Sequence, residues 1–389
     1  LSLLFVPRLD RGMEINMNQY IEVSLQAVIL FPFVVAIFTL PYIAYNYHKY
    51  GSVISLKVVI VYSFIFYILC MYCLVILPLP SPEKAATLHS HKMQLEPFLF
   101  IKDILQRSDI IKDQPKTWLS VVLNKAFLVN ILNLFLALPF GMYLRYYFKR
   151  SFIETIVLSF LLSLFFEITQ LTGLYFLYSG SYRLFDVDDL IVNTSGGLLG
   201  FLLMGPFMKF LPSRDELDEI SYKKGMEVSL TRRFISFFFD MAFIAFLTFI
   251  CEILIPEFAL LFSFEASILF YFSVFPILFK GRTLGKFITS TAIVSLNEER
   301  PALYSYFLRY ILFYGFYFFI PLNIRRLLES LILTNTDPYK DMAYATVELL
   351  AAILYFMILL TALIKSARHR RLLYENLSKT KIQSTVKVS

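Results

Sequence analysis

Charge is scarce in this sequence. Asp, Glu, Lys and Arg make up 17% of the 389 residues, against 58% hydrophobic and 17% aromatic residues. A soluble globular chain carries about 25% charged residues, so the composition excludes an ordinary soluble multi-domain protein. Apolar runs of about 20 residues recur, the length a helix needs to cross a bilayer. The fold class is therefore all-α, a polytopic integral membrane protein. Cysteine is scarce too: Cys70, Cys73 and Cys251 are an odd number, all in apolar segments. Cys70 and Cys73 have C-x-x-C spacing but no His or Cys partner close by, so they read as small packing residues rather than metal ligands. His89 and His91 form an H-x-H pair in a polar loop, which alone does not make a metal site. "GRTLGK", residues 281–286, is not a P-loop, because three residues rather than four separate Gly281 from Gly285 and Phe287 follows the Lys. No internal repeat, nucleophile motif, metal set or cofactor motif is visible. The net charge of +7 fits Lys and Arg retained on cytoplasmic loops, with no nucleic-acid partner. The chain begins at Leu1 with Met13 and Met17 soon after, and its first apolar run follows no defensible cleavage site, so that run reads as an uncleaved span.

Nine spans are expected, at 21–46, 53–78, 119–147, 152–177, 187–211, 234–255, 263–280, 303–322 and 343–365. Lys and Arg cluster in alternate loops: Lys49 and Lys57, Arg145 to Arg150, Lys209 to Arg233, Lys280 to Lys286, and the segment after Lys365. The positive-inside rule makes that side the cytoplasm, with the N-terminus outside and the C-terminus inside. Arg325 and Arg326 go against it, following the eighth span on the outer side unless that span is re-entrant. The longest polar connection, 79–118, also falls outside and has helical rhythm near 96–111. A charged stretch near 212–231 separates a five-span module, 21–211, from a four-span module, 232–365. Residues 1–20 read as an N-terminal tail and 366–389 as a basic cytoplasmic tail.

A central charge in hydrocarbon costs roughly 2.5–3.5 kcal/mol on insertion scales, so each intramembrane polar residue needs a reason. Asn130 and Asn133 share a face of the third span, and Glu167 and Gln170 share a face of the fourth. At ~1.5 Å per residue Glu167 lies about 22 Å from the cytoplasmic end of its span. The segment "SYRLFDVDDLIVNTSGG", 181–197, brings Arg183, Asp186, Asp188 and Asp189 to the mouth of the fifth span, with Asn193 inside it. Gly196, Gly197 and Gly200 allow another helix to approach closely. Two readings stand together. The Asp residues cap the span and the amides hold helices together, or the four carboxylates and one Arg form an outward-facing acidic pocket for a cation, an amine or a proton.

Asn130-x-x-Asn133, Glu167-x-x-Gln170 and then "SYRLFDVDDLIVNTSGG" resemble the VanZ-like family over about residues 55–211. Its motif runs E-x-x-Q, a spacer, then G-R-x-x-D-x-x-D-L-x-x-N-T-x-G. Here Tyr182-Arg183 replaces Gly-Arg, and an extra span precedes the usual start. The resemblance implies a membrane protein of the Gram-positive cell envelope that reduces susceptibility to glycopeptide antibiotics, teicoplanin more than vancomycin. It also implies Glu167, Gln170, Arg183, Asp186, Asp189 and Asn193 as the functional set. Its surroundings are membrane lipids, and its candidate partner is a lipid-linked cell-wall precursor or a lipoglycopeptide.

In the second module Arg233 and Asp240 are seven apart on one helix face, joined through a partner helix or serving as anchors. With "GRTLGK" and Asp341 before the last span, they resemble the RDD family over about 226–350. Some members of that family have been linked to cation/proton exchange. This gives a second functional reading, a cation/proton transporter using Asp240 and Glu167. A third is a membrane enzyme acting on envelope lipid with Glu167 as general base.

Overall fold

In a computed structural model the chain is described over residues 17–77, 79, 93–107, 121, 124–178, 180–181, 183–254, 264–334, 338–368 and 370–386. It forms two compact units, one from Leu1–Thr39 and Ser55–Leu217, the other from Leu40–Ile54 and Asp218–Ser389. Helix α1, Met17–Tyr50, contributes to both. Among the described residues, eight helices are long and apolar enough to cross a membrane.

The first unit is built on α2 (Ser55–Ile76), α3 (Leu99–Arg107), α4 (Lys125–Tyr146), α5 (Phe152–Leu171) and α6 (Val187–Phe207). Two short strands, β1 (Met93–Gln94) and β2 (Phe185–Asp186), pair in parallel, Met93 opposite Phe185 and Gln94 opposite Asp186. Local chemistry starts α5: Ser151 and Glu154 form a reciprocal capping box. Met71, Ile76, Ala137 and Phe166 form a core where α2, α4 and α5 meet. The α6 glycines then bring backbones into contact. A Cβ on Gly196 would lie 2.3 Å from the Leu134 carbonyl oxygen, and one on Gly200 1.9 Å from that of Leu138. From the other side, a Cβ on Gly141 of α4 would lie 1.7 Å from the Gly197 carbonyl oxygen. Near the far end Arg145 donates to the Phe201 carbonyl at 2.7 Å with its guanidinium over the Phe201 ring.

The second unit contains most of α7 (Arg214–Gly225), then α8 (Leu230–Leu254), α9 (Phe264–Leu278), the short α10 (Leu284–Ile288), β3 (Thr291–Ser295) and α11 (Leu303–Tyr314). A π-helical turn, Gly315–Phe319, joins α11 to α12 (Ile320–Thr334), and α13 (Pro338–Ala367), α14 (Leu373–Leu377) and β4 (Thr380–Ser384) follow. Its core is aromatic, with Tyr271, Phe272, Tyr306, Tyr310 and Tyr314 around Ile244 and Ile293.

Three features depart from the sequence reading. The expected seventh span is α9, whose 15 described residues fall short of the ~20 a crossing needs. Arg325 and Arg326 lie inside α12, and Arg325 pairs with Glu329 at 2.8 Å and with Glu348 of α13 at 3.8 Å. Part of the expected C-terminal tail is folded: β4 pairs antiparallel with β3, Thr291 opposite Ser384 and Ser295 opposite Thr380. The partner strand lies far upstream, so no local pattern in the tail announces the pairing. His89 and His91 lie outside the described residues.

Gly200→Leu will force α4 and α6 apart. Overpacking of this kind costs about 1–3 kcal/mol and more where the obstacle is backbone. Thermal melting of the purified protein should show the loss, with Gly315→Ala, which meets nothing within 4 Å, as the neutral control.

Candidate functional site

The site is assembled where α5 ends and α6 begins. After Thr172 the chain enters a left-handed turn, with φ of 60° at Gly173, 57° at Leu174, 54° at Tyr175 and 72° at Phe176. A Cβ at Gly173 would lie 2.4 Å from the Gly180 carbonyl oxygen, so glycine allows the turn to close. The returning chain is tied down by the Ser181 hydroxyl, which donates to the carbonyls of Arg183 and, at 3.4 Å, Gln170. Gln170 Nε2 and Arg183 Nη1 both donate to the Val75 carbonyl, at 3.0 and 2.6 Å. They satisfy a carbonyl in the last turn of α2, where a cation is also favoured by the helix dipole.

Glu167 is 4% exposed, and its Oε2 accepts the Asp186 backbone N–H at 2.9 Å. Asn133 Nδ2 of α4 donates to Asp189 Oδ1 at 3.1 Å. Ser163, one turn before Glu167 on the same face of α5, donates to the Asp189 carbonyl at 3.3 Å and accepts from Asn193 Nδ2 at 2.9 Å. The charges acting on Glu167 are those of Asp189, Arg183 and Asp186. Three helices thus contribute to one polar cluster. Asn130 is buried on α4, one turn before Asn133. Ser163 was absent from the expected set, although its i−4 position relative to Glu167 puts it on the right face.

The three Asp residues at the mouth of α6 face three different ways. Asp186 caps its own helix, accepting the Asp188 N–H at 2.9 Å. Asp189 joins the Asn133 and Glu167 cluster. Asp188 is fully buried and accepts the backbone N–H groups of Phe98 at 2.6 Å and Phe100 at 2.9 Å, with Gln94 Nε2 at 3.4 Å. These are the unsatisfied donors at the N-terminus of α3, where a carboxylate also meets the positive end of the dipole. Asp188 therefore clamps α3 rather than lining an open rim.

In the second unit Asp240 of α8 is fully buried. Its Oδ1 accepts Tyr271 OH at 2.8 Å and Gly285 N–H at 2.7 Å, its Oδ2 accepts Thr283 Oγ1 at 2.7 Å, and Lys286 Nζ lies 3.9 Å from Oδ2. The carboxylate thus holds the "GRTLGK" turn against α8. Arg233 pairs with Glu375 of α14 at 3.1 Å, not with Asp240, and Arg309 pairs with the same carboxylate at 3.0 Å. Burial alone would push the Glu375 carboxyl up, but Arg309 and Arg233 overcome this and hold it below the usual range. The neighbouring Arg232, which sequence reasoning passed over, is fully buried. Its guanidinium donates to the carbonyls of Gly225, Thr289 and Ser290, each at 2.7 Å. Adjacent arginines differ by about 100° on a helix, and only packing selects which one turns inward. The Asp341 side chain lies outside the described residues. Among the described residues, no group of three or more His, Cys, Asp or Glu side chains is placed to hold a metal ion.

Asp188→Ala will leave the α3 N-terminus unpaired, at about 1–3 kcal/mol, and hydrogen exchange at Phe98 and Phe100 should rise without a change in the α4–α6 core. Glu375 supplies a pH dependence. Its folded pKa lies below the unfolded value of about 4.3, so its pairing is fully effective above that pH and is lost as pH falls through the folded value. Acid melting curves of wild type should steepen there, and Glu375→Gln, less stable at neutral pH, should remove that component.

The VanZ/LLP1 family model matches residues 64–209 and the RDD family model matches residues 228–373. Comparison with curated proteins gives no match, and comparison with solved structures gives none either. The Glu167 and Asp189 cluster falls in the first matched range, and the Asp240 network and Arg233 fall in the second, with Glu375 just beyond its end. The chain is a multi-pass membrane protein that joins a VanZ-like domain, residues 64–209, to an RDD-family domain, residues 228–373.

Proposed function

We propose that this protein acts in the cell envelope and lowers susceptibility to glycopeptide antibiotics, teicoplanin above all. In this reading the Glu167–Asp189 cluster faces outward and takes an ammonium-bearing group, either of a lipid-linked envelope component or of the drug itself. One observation carries the reading. The donor on Glu167 Oε2 is the Asp186 backbone N–H, a neutral group that brings no positive charge of its own to the carboxylate. Arg183, the nearby cation, is directed to the Val75 carbonyl by a 2.6 Å bond. A buried acidic cluster in a membrane protein is a functional position by default, because its cost in hydrocarbon is otherwise unrecovered.

The transporter reading needs relay carboxylates on both units. Asp240 is engaged by three hydrogen bonds and Lys286 in holding a backbone turn, which supports a scaffolding role. The hydroxyl of the cluster, Ser163, donates to the Asp189 carbonyl and accepts from Asn193, which supports a structural role for it over that of a nucleophile in an enzyme reading.

The test is glycopeptide susceptibility of a deletion strain complemented with wild type, Glu167→Gln or Asp189→Asn at matched membrane levels. Deletion should lower the inhibitory concentration of teicoplanin more than that of vancomycin. Both isosteric variants should fail to restore it, since a charge-assisted bond is about twice as strong as a neutral one. Full restoration by both variants would remove the cluster from the mechanism.

A further inference from the structure

The RDD-family unit contains a cavity of about 270 Å³, lined by α8, α11, the π-helical turn, α13 and α14. Most of its wall is apolar, including Phe237, Phe313, Leu359 and Ala362. Its polar edge is unusual. Ser236, Tyr310 and Tyr314 line it, each no more than 5% exposed, and among the described residues their buried hydroxyls have no hydrogen-bond partner; nor does Arg233 Nε. Leaving such groups unmade costs about 1–3 kcal/mol each, and three hydroxyls around one cavity call for a shared partner. Lys286 lies at the same edge. Its ammonium has three donors, a 3.4 Å bond to Thr283 Oγ1, the Asp240 carboxylate at 3.9 Å, and the rings of Phe272 and Tyr310 at 5.8 and 5.7 Å.

The sign of the missing partner follows from which groups are already used. Both Asp240 oxygens are taken by Tyr271, Gly285 and Thr283. Glu375 is taken by Arg233 and Arg309. Among the described residues, Arg233, Lys286 and Arg309 pair with two carboxylates, Asp240 and Glu375, which leaves one positive charge in excess. The edge is rich in donors and poor in acceptors, so it suits an anion. The rim residues Phe234, Phe318 and Leu363 are exposed apolar side chains, which in a membrane protein face lipid. The volume is close to the low end of the ~300–1,000 Å³ range of small-molecule sites. It holds a head group and the start of one chain.

We propose that this cavity binds an amphiphile with a single anionic head, a carboxylate or a phosphomonoester. Lys286, Ser236, Tyr310 and Tyr314 hold the head, and the tail leaves past Phe234 and Leu363. The proposal rests on no reading of Glu167.

The experiment uses the full chain in phosphatidylcholine nanodiscs and measures equilibrium binding of radiolabelled oleate, oleyl phosphate, oleyl alcohol and tail-free inorganic phosphate. Oleate or oleyl phosphate should bind saturably, and the tighter of the two identifies the head. Oleyl alcohol should bind about tenfold more weakly or worse, having no charge for the bond. Tyr310→Phe combined with Tyr314→Phe removes hydroxyls that hold nothing else in the fold, and should weaken binding several-fold without lowering the melting temperature. Ala362→Trp should fill the cavity and abolish binding. The proposal is overturned if nothing binds saturably, if the alcohol binds as tightly as the acids, or if inorganic phosphate binds as well as the lipids. Wild-type binding by both the double Phe variant and Ala362→Trp would also overturn it.

Discussion

Every buried carboxylate described in this protein is also a fastener. In an apolar chain a charge survives burial only when donors surround it, and here most of those donors belong to backbone or to a second segment. Asp188 holds the first turn of α3 through the Phe98 and Phe100 amides. Glu167 holds the strand before α6 through the Asp186 amide. Asp240 holds the "GRTLGK" turn through Gly285 and Thr283, and Glu375 gathers two arginines at the end of the second unit. Hydrophobic burial gives little orientation between helices in lipid, where tails are as apolar as leucine. The polar pairs therefore decide register and contact.

In the VanZ-like unit this works together with absence of side chains. Gly196 and Gly200 let α6 meet the α4 backbone at Leu134 and Leu138. That contact brings Asn133 within hydrogen-bond reach of Asp189. The acidic cluster is thus a consequence of glycine packing. The RDD-family unit uses aromatic rings instead, and two of its tyrosines, Tyr310 and Tyr314, line a cavity with their hydroxyls unpaired among the described residues. The first unit gathers carboxylates between three helices, and the second gathers an ammonium and tyrosine side chains beside an apolar cavity.

Much of this was legible in the sequence because its signals are local. Apolar runs announce helices by length, and helical spacing places Glu167 with Gln170 and Asn130 with Asn133 on shared faces. The small residues of α6 announce a close approach without naming the partner. Helical rhythm near 96–111 corresponds to α3. Three matters were not legible. Asp186, Asp188 and Asp189 look equivalent in sequence, yet Asp186 is the extended N-cap residue, the helix turns Asp189 by about 100° from Asp188, and each meets a different neighbour. Arg232 and Arg233 are distinguished the same way. The β3–β4 pair joins segments far apart in the chain, and five-residue strands carry too little pattern to find each other.

The sequence by itself determined the class of the protein, the position of most of its spans and the list of polar residues that must be accommodated, because these depend on transfer of each segment from water to lipid. The tertiary structure alone decided which carboxylate clamps a helix end, which enters the candidate site, and which tyrosines line a cavity. Those outcomes depend on what lies opposite each side chain, and in a bundle the opposite group comes from another part of the chain.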